Sequence, residues 1–381
     1  DVRARSPKAL DWQQARDEMA LWRLFRVATG SESSAEIRFR DQSSLLMRDN
    51  ALLVIHGASS AAARMNRSAR TVVDLEKGTL RGGLERLDAE AGLSIRTPSS
   101  RVDLAATEAQ VEVDEDLSSL VSIWEGRASV SAQGRTVDVP ADSGTTVRKG
   151  EAPAPPRRLP GRPAWADAAR DRIVTVPRGF PGAFEASWKP VPGAARYRVE
   201  LARDARFRQL VVDAVVGSGL LAFRAEDLAP GTYFARVSAI DGGRLQGSAS
   251  APLAVRVVSV ATSRRLDPIA ASDGVPAWET AGFVRIDPPD NSPAGTEVRV
   301  DDGAWSPASA SLRLVLPGLH RVRYRSADGV APAGFDVRVL AVAADVSVPG
   351  SAVRVPPCDV DVEVAVHDER GRPLGLPGLS A

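Results

Sequence analysis

Cysteine is almost absent. The 381 residues include one, Cys358, so no internal disulfide can form and no thiolate zinc or iron–sulfur site can be built. Histidine is scarce as well. His56, His320 and His367 lie in separate stretches, with neither an HExxH pattern nor a paired spacing, which leaves little for metal ligation or a histidine base. No apolar run approaches the ~20 residues that a membrane-spanning helix needs. Excess charge of one sign is missing too. Basic residues number 49 and acidic residues 48, for a net charge of +1. A polyanion binder held by bulk charge is thereby excluded, and no nucleic-acid partner is expected. Lysine occurs only at 8, 77, 149 and 189, so the other 45 basic residues are arginine. A GC-rich codon bias explains this more simply than guanidinium chemistry does. The sequence begins at Asp1 without a methionine or a signal-peptide core, which is what a mature or trimmed piece would show.

Short alternating stretches and turns fill the chain instead. Alternation of period two runs through Ala35–Arg40, Val111–Val113, Val121–Trp124, Ala128–Val130 and Val137–Val139, as expected of half-buried strands. Glu125-Gly126, Gln133-Gly134 and Ser143-Gly144 punctuate them, at spacings typical of sandwiches and barrels. Helical signals are weak. The best candidates, Trp12–Ala20 and Ala164–Arg172, are short and lack a complete capping box. Length alone points to two to four domains. The prolines of residues 151–163 forbid a ladder and favour an extended, semi-rigid spacer.

Family resemblances follow these divisions. Residues 1–150 resemble a FecR-type domain through Leu24–Gly30, Ala35–Ser43, Val73–Gly78, Ile95–Pro98, Val121–Ala128 and Val139–Thr145. The resemblance implies a wound β domain on the exported side of a bacterial envelope. The chain departs from the family where glycine turns are usual, at Asp41-Gln42-Ser43 and Val102–Glu108. Residues 174–258 resemble a fibronectin type III module. Phe184–Trp188 stands where that family buries a strand-B tryptophan, and Tyr233 where it places a tyrosine corner. Residues 275–343 resemble Ig-like modules of bacterial surface proteins. The expected fold is therefore all-β: a FecR-like wound β domain followed by two β-sandwich (Fn3/Ig-like) modules. The expected order is a FecR-like domain (1–150), a Pro/Arg-rich linker (151–173), a fibronectin-III-like domain (174–260), an Ig-like domain (261–345), and a tail or the start of a further module (346–381).

Candidate chemistry is sparse. Asp142-Ser143-Gly144 has the form of an aspartic-protease loop but lacks a second copy, and a hairpin turn explains it better. Asp114, Asp116 and Glu125 fall on EF-hand positions, but Ser119 stands where that loop needs glycine. They are weak calcium candidates, and Asp287, Asp290, Asp301 and Asp302 are looser ones. Gly217-Ser218-Gly219 is not a nucleophile elbow. Trp165 and Trp305 could stack on a sugar ring if exposed, although aromatic side chains more often anchor one domain on another. Arg157, Arg158 and Arg162 could hold an anionic polymer through paired hydrogen bonds. We therefore expect a non-enzymatic scaffold or adhesion protein of the periplasm or cell surface, without cofactor, binding peptidoglycan, another cell-wall glycan or an envelope protein. The alternative is a FecR-type sensor that relays an envelope signal to a partner protein.

Overall fold

The computed structural model describes all residues except 40–42, 59–70, 85–91, 167–170, 273–274, 326–332, 348–362 and 369–381. Strands account for all the regular structure among the described residues, so the all-β class holds. The first helix candidate is a strand segment instead. Gln13–Gln14 pairs with Val2–Arg5. A stretch of nine residues without a cap cannot repay helix nucleation. Most of the second candidate's middle lies outside the described residues; Trp165 before it bridges to Trp188, and Asp171–Pro177 after it is a strand. Cys358 and the Asp41-Gln42 departure also lie outside the described residues.

The chain divides into two compact units. The first comprises residues 1–168, 186–223 and 234–252; the second comprises 169–185, 224–233 and 253–381. The strands of the fibronectin-like stretch are thus shared out between the two units.

In the first unit, residues 2–158 form one 13-stranded sheet. Its spine is three long strands, Thr71–Gly83, Arg101–Val113 and Ser119–Ala132. Alternation puts Val73, Leu75, Val102, Leu104, Val111, Val121, Ile123 and Val130 on the inside, where they share one core with Val27, Leu53 and Val147. Burial of that face is the main favourable term for the sheet. Gly126 lets Ser119–Ala132 bend. Its φ is +99°, and a Cβ there would meet the backbone of Ala105 and Ala106 at 2.6 Å. Register shifts flank it, the mark of a bulge.

Strands Ala194–Ala202 and Leu210–Gly217, with the part of Gly231–Asp241 from Phe234 on, belong to the same unit. Their core centres on Trp188, Tyr197, Val199 and Val237, with Trp188 edge-on to Tyr197 at 5.4 Å between ring centres. The proline-rich stretch lies docked along this unit. Arg157–Arg158 pairs with Ser143–Gly144, and Leu159 is buried with Leu120, Trp124 and Leu245.

In the second unit, Asp171–Pro177 pairs in parallel with Leu253–Val260. The Tyr233 hydroxyl donates to the Ala229 carbonyl at 2.8 Å, so the expected tyrosine corner is present. A six-stranded sheet built on Val275–Ala281, Ala333–Leu340, Gly318–Arg325 and Glu297–Val300 faces the ribbon Val284–Ile286 and Leu312–Leu314. Trp278, Val298, Tyr324, Phe335 and Val337 fill the space between. Glu363–Asp368 is a strand paired with Val342–Ser347.

The docking of the proline stretch is tight enough to test. A Cβ on Gly247 would stand 2.2 Å from the Pro160 carbonyl oxygen, and backbone cannot step aside as a side chain can. Gly247→Ala is expected to cost about 1–3 kcal/mol. It should also open residues 151–163 to limited proteolysis at temperatures where the parent chain resists.

Candidate functional site: a charged joint

The most concentrated chemistry in the first unit is a buried cluster of arginines and carboxylates. It begins with register. Glu200, in the middle of Ala194–Ala202, lies opposite Asp213 on one neighbouring strand and Arg236 on the other. Two carboxylates side by side in a cross-strand row repel each other. Arg48 resolves the repulsion. It follows the short strand Ser44–Met47, where its amide donates to the Thr79 carbonyl at 3.0 Å and its carbonyl accepts from the Thr29 hydroxyl at 2.5 Å. With its backbone pinned, its guanidinium donates to Glu200 and, at 2.5 Å, to Asp213. Arg236 grips Glu200 through two bonds of 2.6 and 2.9 Å, and Arg198 grips Asp213 through bonds of 2.6 and 2.9 Å. Arg81 completes the group, with one nitrogen 3.6 Å from Glu200 and another 2.5 Å from Glu108.

Burial sets the energetics. Arg48 and Glu200 are 1% and 0% exposed, so neither charge has water to fall back on. Burial opposes ionisation of Glu200, but the Arg48, Arg236 and Arg81 guanidiniums outweigh it and hold its carboxyl well below the usual range. Burial likewise opposes the charge on Arg48, and Glu200 and Asp213 more than restore it. Arg81 is the strained member. Burial, and then the Arg236 charge, pull it down to about 10. Aromatic faces soften the excess cation: Arg81 sits over Trp124 at 4.4 Å and Arg236 over Phe207 at 3.8 Å.

A second group of contacts lies around Trp124. Its indole nitrogen donates to the Gln246 carbonyl at 2.9 Å, and the Gln246 side chain donates to Ser238 at 2.8 Å. Arg244 pairs with Glu112 and Asp114; elsewhere in the unit, Arg208 pairs with Glu36 at 3.0 Å.

Several residues singled out in the sequence make contacts within the chain. Arg157 pairs with Asp241 at 3.0 Å. Trp165 is half-buried, donates to the Ala251 carbonyl at 2.9 Å, and packs on the Trp188 core. Trp305 is half-buried, with Arg299 and Arg325 over its ring at 4.9 and 4.3 Å. Arg158 and Arg162 are exposed and make no ion pair among the described residues. Asp114 and Asp116 share the turn before Ser119, where Asp114 pairs with Arg244 and Asp116 accepts from the Ser118 amide at 2.8 Å. Glu125 is six residues further along the strand, on the order of 20 Å away, and lies opposite Glu108. Asp290 is bound by Arg178 at 2.7 Å, and Asp287 by Arg285 at 3.0 Å. Among the described residues no group of three or more metal-ligating side chains converges. Asp142, at φ 55°, is not in the expected hairpin: Arg135–Pro140 before it and Ser143–Val147 after it both pair with Ser119–Ala132, so the left-handed residue marks a kink between two segments running along one strand.

Sequence reasoning missed Arg48, Arg81, Glu200, Asp213 and Arg236. Strand alternation places Arg198 and Glu200 on the face opposite Tyr197 and Val199, and nothing in that pattern says whether water or another sheet covers the face.

In the second unit His320 bridges two acceptors, Asp301 at 3.0 Å and the Leu316 carbonyl at 2.8 Å. Burial lowers its pKa, but these two bonds outweigh it and the net shift is upward from 6.5. Both ring nitrogens can donate only in the imidazolium.

Residues 25–129 match the family model described as FecR protein, so the chain carries a FecR domain, and Arg48 and Arg81 fall within it. No curated protein matches the chain. Among solved structures, a protein of Parabacteroides distasonis ATCC 8503, provisionally described as an anti-sigma factor, is similar at 12% identity. That match covers 40% of this chain and 78% of the other, with a TM-score of 0.30. Fibronectin(III)-like modules of Clostridium thermocellum CbhA are similar at 14% identity, over 47% of this chain and 94% of theirs, with a TM-score of 0.22. The extracellular domain of a one-component system, BT4673 of B. thetaiotaomicron, also provisionally assigned, is similar at 8% identity over 59% and 50%, with a TM-score of 0.19.

Two outcomes follow from the geometry. Glu200→Gln strands three buried guanidiniums, and urea denaturation should show a loss of about 3–5 kcal/mol; Arg162→Ala, at an exposed position, should leave the midpoint unchanged. The raised pKa of His320 means its bonds stabilise the second unit fully below pH 6.5 and fade as pH climbs through the raised value. Thermal melting across pH 6 to 9 should show this decline in the parent chain and its absence in His320→Gln.

Proposed function

We propose that this FecR-domain chain is a non-enzymatic, envelope-side part of a signalling system, one that transmits a partner's state by protein contact. The FecR match supports an envelope or extracellular location, and within that range we assign the chain to the periplasm or cell surface. The observation that carries the reading is the FecR domain at 25–129. The joint deepens it. Arg48 and Arg81 come from that domain and close on Glu200 outside it, so a partner bound to the FecR block acts on a body that includes the next sheet rather than on a loose bead. A sandwich array of this kind presents surfaces for recognition, and a protein partner is the occupant we favour. The rival reading is scaffolding on cell-wall glycan, favoured by the run of sandwich modules and by nothing at the tryptophans, whose rings are engaged within the chain.

In-frame removal of residues 25–129 from the native gene separates the two. A relay predicts that a restricted set of transcripts shifts while purified sacculi fail to retain the isolated chain. Unchanged transcripts together with retention on sacculi would replace relay by scaffolding.

A further inference from the structure

One strand of the fibronectin-like stretch has an open side. Leu210–Gly217 ends its sheet: it pairs with Ala194–Ala202, and among the described residues no strand lies along its other edge. The direction of its backbone groups follows from register. The Ser218 amide donates to the Ala195 carbonyl at 3.2 Å, in line with the ladder that sets Arg196 opposite Gly217. Alternation along an antiparallel pair then turns the amides and carbonyls of Val212, Ala214 and Val216 toward Ala194–Ala202, and those of Asp213 and Val215 away from it. A register shift between Leu201 and Ala202 confines this regular stretch to the residues from Val212 on. Among the described residues no group bonds the outward amides and carbonyls of Asp213 and Val215.

Sheets guard such edges with short strands, prolines, lysines or an inward-pointing charge. Other terminal strands of this chain do so. Gln13–Gln14, Arg157–Arg158 and Ser306–Pro307 have two residues each, and Asp267–Ser272 carries Pro268. Leu210–Gly217 has eight residues, Leu-Val-Val-Asp-Ala-Val-Val-Gly, with neither proline nor lysine. Its one charge is a spent guard, because Arg48 and Arg198 hold the Asp213 carboxylate from within the unit. Val215, the next side chain on that face, is 48% exposed. The contacts that Arg208 makes with Ser34 and Glu36 lie before the strand begins.

We propose that this edge pairs antiparallel with the same edge of a second copy of the chain, about a two-fold axis at Ala214. The strand itself selects partner and register. A pair of valines stands on each side of Asp213-Ala214, so the run reads nearly the same in both directions. That reversal symmetry favours a second copy over an unrelated extended segment. A two-fold axis normal to the sheet keeps each face on its own side, so it must pass through a residue and set like parity against like. Centring on Asp213 opposes two carboxylates, which repel. Centring on Val212 or Val215 shortens the overlap of the two strands. Centring on Ala214 keeps the overlap long and lets Asp213 and Val215 of each copy exchange both backbone bonds with Val215 and Asp213 of the other. It also sets Val212 beside Val216 across the new ladder. The inference does not rest on the signalling reading, since it follows from the direction of backbone groups.

Sedimentation equilibrium of the full chain over about 1–100 μM tests it, and a concentration-dependent dimer is expected. Val215 is exposed and lies opposite Arg198 in its own sheet, so Val215→Glu should leave the thermal midpoint unchanged. In the dimer it meets Asp213 of the second copy at two symmetry-related places, and should weaken association about tenfold. Cysteine variants in a Cys358→Ser background read the register. Ala214 faces itself as a non-hydrogen-bonded pair, at a Cα separation of about 4.5 Å that a disulfide spans. Mild oxidation should therefore link two chains through Ala214→Cys, and should not link them through Val216→Cys, whose position faces Val212. A parent chain that stays monomeric throughout overturns the proposal. So does a dimer that a folded Val215→Glu variant leaves intact, or one that links as readily through position 216 as through position 214.

Discussion

A carboxylate with no access to water must be surrounded by cations, and in this chain that requirement falls on Glu200. Its own sheet supplies Arg236 to it and Arg198 to the neighbouring Asp213, which balances the charge but leaves a fully buried carboxylate with a deficit of donors. The deficit is met from the FecR domain by Arg48 and Arg81. Neither surface is fully satisfied alone: one leaves Glu200 and Asp213 held by Arg236 and Arg198 only, the other leaves the Arg48 guanidinium without a carboxylate. Desolvation therefore makes the joint all-or-none. The apolar cluster of Leu120, Trp124, Leu159 and Leu245 adds area, but the charges fix the orientation.

This joint changes the meaning of the proline-rich stretch. As sequence, five prolines within thirteen residues describe a stiff spacer. In the fold the same stiffness lets the segment lie along the unit as an edge, with Leu159 as its buried anchor and Arg157 paired to Asp241. A proline lacks the amide that a ladder would need, so the stretch costs little when placed against a surface that offers few acceptors.

The strands were legible in the sequence because alternation reports which side of a strand is apolar. Val121, Ile123 and Val130, and likewise Tyr197 and Val199, point where the pattern says. The tyrosine corner was legible because it is a local hydrogen bond between residues four apart. The joint was not, because Arg48 and Glu200 are 152 residues apart and arginine is common throughout the chain. For the same reason Arg157 and Trp165, picked out as candidate contacts for an outside ligand, make their contacts inside the chain. Periodicity distinguishes an apolar face from a polar one, and is silent on whether the polar face meets water or a complementary charge.

The parallel pairing of Asp171–Pro177 with Leu253–Val260 has a mechanical side. The chain enters the pair at Asp171 and leaves it at Val260, with Asp171 beside Ala254 and Pro177 beside Val260. Tension along the polypeptide drags the two strands past one another lengthwise. All the slanted bonds of the ladder are then loaded at once, where a hairpin would unzip one rung at a time. Val275–Ala281 and Ala333–Leu340 repeat the arrangement. A chain stretched between two attachments in an envelope would meet its first firm resistance at these two ladders, well before either core is exposed.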